Sequence, residues 1–188
     1  KRFGLPVVVA INEFPSDSPQ EIELVMERVR SLEADLALSR VWAQGGEGGQ
    51  ELAEKVLAAA DKPNKFRFLY DLEQTLISKI ETICRDIYGA DGVNYSAAAM
   101  RTLDRLENQG YGNLPVCMAK TQYSLSDNPA LLGRPRGFDI NIREVRLSAG
   151  AGFIVPMAGD IMTMPGLSKT PAAEKIDILE DGTIIGLF

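Results

Sequence analysis

The residues able to do chemistry in this chain are few, and one absence governs them. There is no histidine. That removes the commonest general base at neutral pH, the usual zinc ligand and any Ser-His or Cys-His nucleophile pair. Cys84 and Cys117 lie in the apolar strings TICRDI and PVCMAK and read as buried thiols of a reducing compartment, not as a disulfide. Phe14, in the string N-E-F-P-S-D, and Trp42, just ahead of Gly45-Gly46-Glu47-Gly48-Gly49, each follow an apolar run, at the strand ends where α/β sheets place ligands. Taken by themselves, the two are better read as a loop anchor and a core tryptophan. Asn12 and Asp17 flank Phe14 and can fix a ligand edge. Alternatively, Asn12 satisfies loop backbone while Asp17 or Ser18 caps the next helix. Pro15 shapes the turn that presents Phe14.

A second polar set lies further along. Lys120, Thr121, Gln122, Tyr123, Ser124 and Ser126, followed by Arg134 and Arg136, share one long loop. Cations and hydroxyls together suit a phosphate, but a loop held by its own hydrogen bonds is the preferred reading. The glycine run lacks a terminal lysine, carries Glu47 and reads as a tight turn, though a loop opening a helix can approach a ligand closely. Glu21, Glu23, Glu27 and Glu33 belong to an exposed helix face and not to a metal site. Met157, Met162 and Met164, near Asp160 and Gly166, read as interior packing. No catalytic residue and no metal ligand is assigned.

The elements that must position these groups follow from periodicity. Pro6 to Asn12, PVVVAIN, is a continuous β-branched run, the pattern of a strand buried on both faces. Ser18-Pro19-Gln20-Glu21 gives capping-box spacing, and Ile22, Val25, Met26, Val29 and Leu32 continue at helical intervals. A stretch from Leu36 to Trp42 enters the glycine run, and Leu52, Val56 and Leu57 mark a helix ending near Pro63. Phe66 to Tyr70 predicts a short strand, and Leu72 to Ile87 an amphipathic helix closing at Tyr88-Gly89. Further on come a helix over 97–107, a buried strand over 114–119, strands over 138–147 and 152–157, and a hairpin turning at Asp181-Gly182. The expected class is α/β, a mostly parallel sheet with flanking helices and an antiparallel element at the C-terminus. Two small α/β subdomains, 1–89 and 90–188, are expected to divide at Gly89 to Gly92.

With 188 residues, the chain can bury a genuine core. Apolar residues make up 45% and the net charge is -6, which speaks against disorder and against phosphate-backbone binding, so no nucleic-acid partner is expected. No apolar run approaches the roughly 20 residues of a membrane span. A cytoplasmic location is expected.

Several strings carry a resemblance that runs along essentially the whole chain: PVVVAINEFPSD, VWAQGGEGGQELAEKV, KFRFLYD, PVCMAKTQYSLSDNP, RLSAGAGFIVPMAGDIMTMPGL and the closing GLF. Together they resemble the C-terminal third of the formate–tetrahydrofolate ligase family. The resemblance implies a parent activity that joins formate to N10 of tetrahydrofolate at the expense of ATP, through formyl phosphate. It also implies that Phe14 and Trp42 clamp the flat pterin ring, with Asn12 and Asp17 beside them, which reverses the reading of the two aromatics as mere packing. ATP with Mg is expected to be held by a larger N-terminal domain carrying a phosphate loop, and no G-x-x-x-x-G-K-[ST] string occurs here. The 120–136 loop then has the folate glutamate tail as a further possible ligand, or packs against that domain. The chain is accordingly expected to be a fragment or a separately encoded piece, a folate-binding part inactive alone. Its expected partners are that N-terminal domain or a second copy. The rival expectation is a noncatalytic interaction or oligomerisation module derived from the synthetase.

Overall fold

The computed structural model describes residues 2–161 and 169–186. Strand β1 spans Val8–Asn12, helix α1 Pro19–Ser31 and strand β2 Asp35–Ser39. The strands pair in parallel from Val8↔Asp35 to Asn12↔Ser39, as a crossover helix requires. Helix α1 starts where its capping box predicts. Ser18 Oγ accepts from the Glu21 backbone, and the Glu21 carboxylate receives the Ser18 N–H at 2.9 Å.

The double burial expected of β1 is not found: Ala10 and Asn12 are exposed and the other residues only half-buried. β1 pairs with β2 alone, so an apolar run that reads as a central strand has a neighbour on one edge only among the described residues. Ala37 and Ser39 of β2 are the buried positions.

After β2 the chain makes a short helix α2, Val41–Gln44, a 3₁₀ turn over Gly45–Gly49 and helix α3, Gln50–Ala60, which packs on β2. The glycine run is thus a turn, as expected. Phe66 to Tyr70 is not a strand. It is tied to the N-terminal segment by two backbone bonds, Lys65 N–H to Gly4 O and Arg67 N–H to Phe3 O, and Phe66 and Phe68 meet edge to face at 5.2 Å. Helix α4, Leu76–Ile83, begins later than periodicity predicts because Thr75 caps it, accepting from Ser78 N–H at 3.2 Å. It runs into a π turn, Cys84–Tyr88, closed by Gly89 at φ 77°.

Strand β3, Gly92–Tyr95, occupies part of the expected break, and helix α5, Ala97–Asn108, follows from the cap Ser96. Strands β4, Asp139–Ser148, and β5, Phe153–Ala158, complete a three-stranded sheet in the order β3-β4-β5. β3 and β4 are parallel; β4 and β5 are antiparallel. Residues 114–119 do not form a continuous strand. They run alongside β5 through the bridges Val116↔Ile154 and Ala119↔Met157. The C-terminal hairpin of β6, Asp177–Ile178, and β7, Ile184–Ile185, turns at Gly182 with φ 82°. The class is therefore α/β with an antiparallel element at the C-terminus; among the described strands, β1/β2 and β3/β4 pair in parallel, and isolated parallel bridges join residues 116 and 119 to β5.

The main core gathers Leu76, Ile80 and Cys84 with Ala99, Leu103, Ile140, Ile142 and Ile154. Burying a large aliphatic side chain contributes about 1.5–3 kcal/mol, so this cluster holds α4 and α5 on the second sheet. The expected division at residue 89 runs through it. Lys79 is also fully buried there, its Nζ donating to Gly112 O at 2.6 Å and Leu114 O at 3.1 Å. Cys84 is buried as expected, but Cys117 is exposed, because its neighbour Val116 takes the inward position against β5. Met162, Met164 and Gly166 lie outside the described residues. Among the described residues, no helix is long and apolar enough to cross a membrane.

Candidate functional site

The carboxyl ends of β1 and β2 lie side by side, and the chain leaves each with an aromatic residue. Pairing continues one step past β1, where Glu13 N–H donates to Ser39 O at 3.0 Å. Phe14 follows in a turn held at both ends by Asp17: the Phe14 N–H donates to Asp17 Oδ2 at 2.8 Å, and Asp17 N–H donates to Phe14 O at 3.0 Å. The Asp17 carboxylate is thus engaged in local backbone. Asn12, on the last rung opposite Ser39, is exposed, and its side chain has no hydrogen-bond partner among the described residues.

Beyond β2, Arg40 opens the turn that carries Trp42. Its backbone N–H donates to Gly48 O at 2.9 Å, and its carbonyl accepts from Ala43 and Gln44. The fold brings Phe14 and Trp42 together with ring centroids 6.0 Å apart and planes at 56°. Both remain open to solvent, Phe14 41% and Trp42 67% exposed. Neither is a core residue. A tilted contact at this distance is a favourable aromatic pair.

Beside the rings lies a cleft of about 180 Å³ lined by Glu13, Phe14, Pro15, Arg40, Ala43 and Gln44. Its charged walls form an ion pair, Arg40 Nε to Glu13 Oε2 at 2.6 Å. Sequence reasoning missed Glu13 and Arg40; opposite charges immediately after two adjacent parallel strands were the available signal. Ligand sites pair apolar faces with a few placed polar groups, and this corner has both.

The other candidates are built differently. A larger hollow of about 460 Å³ is lined by Phe3, Phe68, Leu72, Ile83, Ile87 and Val116 among others, and its Tyr70 hydroxyl accepts from Val116 N–H. It offers apolar area with little to orient a polar ligand. In the 120–136 loop, Lys120 Nζ donates to the carbonyls of Thr121 and Ser124 and sits 5.1 Å from the Tyr88 ring centroid. Burial pulls its ammonium below the ordinary lysine range. Ser124 Oγ donates to Leu131 O, and Ser126 Oγ accepts from Asn128 N–H. These groups face their own loop, in agreement with the structural reading, while Arg134 and Arg136 are exposed.

The glycine turn does not fit a triphosphate. Glu47 sits within it, Glu51 in the first turn of α3, and the guanidinium of Arg40 is already paired. Among the described residues no group of three or more carboxylates or thiols could hold a metal ion. Glu21 is committed to the cap of α1 and Glu23 to Arg30.

Comparison with known proteins gives two findings. A family model described as formate–tetrahydrofolate ligase matches residues 1–188. A curated relative named formate–tetrahydrofolate ligase, from Herpetosiphon aurantiacus, is 60% identical over 187 residues, 99% of this chain and 33% of the relative. The chain therefore spans about a third of the length of that relative.

Proposed function

The chain belongs to the formate–tetrahydrofolate ligase family, and from that premise we propose that its ring pair, Phe14 and Trp42, is the seat of the pterin of tetrahydrofolate. The observation that supports this most is the meeting of two solvent-open aromatic rings at the carboxyl ends of adjacent parallel strands. Sandwiching a flat heterocycle needs two van der Waals spacings, roughly 7 Å between ring planes. At 6.0 Å and 56° the rings must part and turn toward parallel to admit the ligand.

In this proposal the chain's part is to bind and orient. Stacking fixes the ring plane, and the charged cleft beside Phe14 receives a polar ring edge, so that N10 is held in one direction toward the formyl donor. Asn12, exposed on the last rung of β1, is assigned to a ligand edge, and Asp17 acts by holding Phe14. The family reaction joins formate to tetrahydrofolate with ATP through formyl phosphate. We assign its phosphoryl transfer, with ATP and Mg, to the part of the family proteins that this chain does not span, because the glycine turn is unsuited to phosphate. The 188 residues alone are expected to bind folate without turnover. A cytoplasmic setting accords with this role.

Calorimetric titration of tetrahydrofolate into the chain and its Phe14→Ala and Trp42→Ala variants tests the assignment. Loss of one stacking face is expected to weaken binding roughly tenfold. Equal affinity in all three proteins removes the clamp.

The second reading, an interaction module, draws on one observation: Phe3, Phe68 and Leu72 are exposed around the apolar hollow. Mixing with the complementary two-thirds of a relative separates the readings. Formate-dependent ADP release marks an enzyme subunit; persistent inactivity with tight self-association marks the module.

A further inference from the structure

We propose that the ion pair between Glu13 and Arg40 is a latch that sets the spacing of the Phe14 and Trp42 rings; this rests on the folate-clamp reading above. Glu13 immediately precedes Phe14, and Arg40 stands two residues before Trp42, so the pair joins the two ring-bearing loops at their roots. Arg40 Nε meets Glu13 Oε2 at 2.6 Å. A latch works only if its anchors are fixed, and both are. Glu13 is tied by its backbone to Ser39 O, and Arg40 is tied to Gly48 O through its N–H and to Ala43 and Gln44 through its carbonyl. The Glu13 side chain is 24% exposed and that of Arg40 48%, so the bond faces water on one side.

That placement gives the pair an energy suited to a movable part. A partly exposed ion pair contributes modestly and yields to salt. The rings are too close for a sandwiched heterocycle, and admitting one means moving the loop of Phe14 against the turn of Trp42. The Glu13 to Arg40 bond is the side-chain tie that resists this movement and restores the register afterwards. Toward the two rings Glu13 and Arg40 are positioning residues, a role separate from the cleft wall they also form.

The test reads Trp42, the only tryptophan, with and without ligand. Acrylamide quenching of the free protein is measured for wild type, Glu13→Gln, Arg40→Gln, the double variant and Arg40→Lys, with circular dichroism as the check on folding. Either single neutral variant is expected to raise the quenching constant, the double variant to raise it no further, and Arg40→Lys to restore most of the wild-type value. Salt at about 1 M is expected to reproduce the effect in wild type and to add nothing in Glu13→Gln, which keeps the test available should a variant fold poorly. Unchanged quenching in the single variants and in salt, or additive effects, overturns the latch. Loss of folate binding on Phe14→Ala with unchanged quenching in the latch variants leaves the clamp standing and removes the latch alone. Changed quenching in a wild type that binds no folate removes the clamp alone.

Discussion

The backbone N–H of Arg40 donates to the carbonyl of Gly48 at 2.9 Å, and this close approach leaves no room for a side chain at position 48. A Cβ there would lie 2.5 Å from both the carbonyl carbon and oxygen of Arg40. Gly48→Ala must therefore push the glycine turn off the root of the Trp42 loop. The expected cost is about 1–3 kcal/mol, read as a lower urea midpoint. Gly46→Ala is the control, because nothing lies within 4 Å of its Cβ position, and its midpoint is expected to stay within experimental scatter.

The two thiols should behave oppositely. Cys117 is exposed, whereas burial, reinforced by Glu81 and Asp127, pushes the Cys84 thiol up to about 12. A disulfide reagent at neutral pH is expected to titrate one thiol in the native chain and two in denaturant. Two fast-reacting native thiols would contradict the packing of α4 against the sheet.

Cys84 also fixes the sign of an alkaline effect. Its proton is held more tightly in the folded state than at the ordinary value of 9.0. The associated stability is fully present below pH 9 and is lost as the pH rises from there toward about 12. Urea midpoints measured across that range are expected to fall more steeply in wild type than in Cys84→Ala. Parallel slopes would show that the thiol is not buried in this way.

Lys79 joins α4 to the segment after α5 by donating to Gly112 O and Leu114 O. Desolvation lowers its pKa, opposed by Glu73 and Glu107, so the ammonium is held by these two carbonyls at some cost. Lys79→Met fills similar space yet leaves the carbonyls unpaired. A loss of about 1–3 kcal/mol is expected in urea unfolding; a gain would mean that shedding the buried charge outweighs the two bonds.

What could be read from the sequence depended on how local its cause was. The cap at Ser18, the turn at Asp181-Gly182 and strands β4 and β5 follow from neighbouring residues, and all are present. The strand expected over Phe66 to Tyr70 fails because apolar alternation cannot say whether a partner strand exists, and β1 is more open than its composition predicts for the same reason. Thr75 stops α4 short of Leu72, since a cap overrides periodicity that continues past it. The nearness of Phe14 and Trp42 was legible only through strand-end logic joined to a family resemblance. For Glu13 and Arg40 the sequence offered only opposite charges after two strand patterns; their contact depends on β1 and β2 being adjacent and in register.

The clamp itself is tested most directly by the fluorescence of Trp42 during titration with tetrahydrofolate. Saturable quenching that is lost in Phe14→Ala, in a sample shown to be folded, is the predicted result. An unresponsive indole at saturating folate, or quenching indifferent to the phenyl ring, would contradict the account.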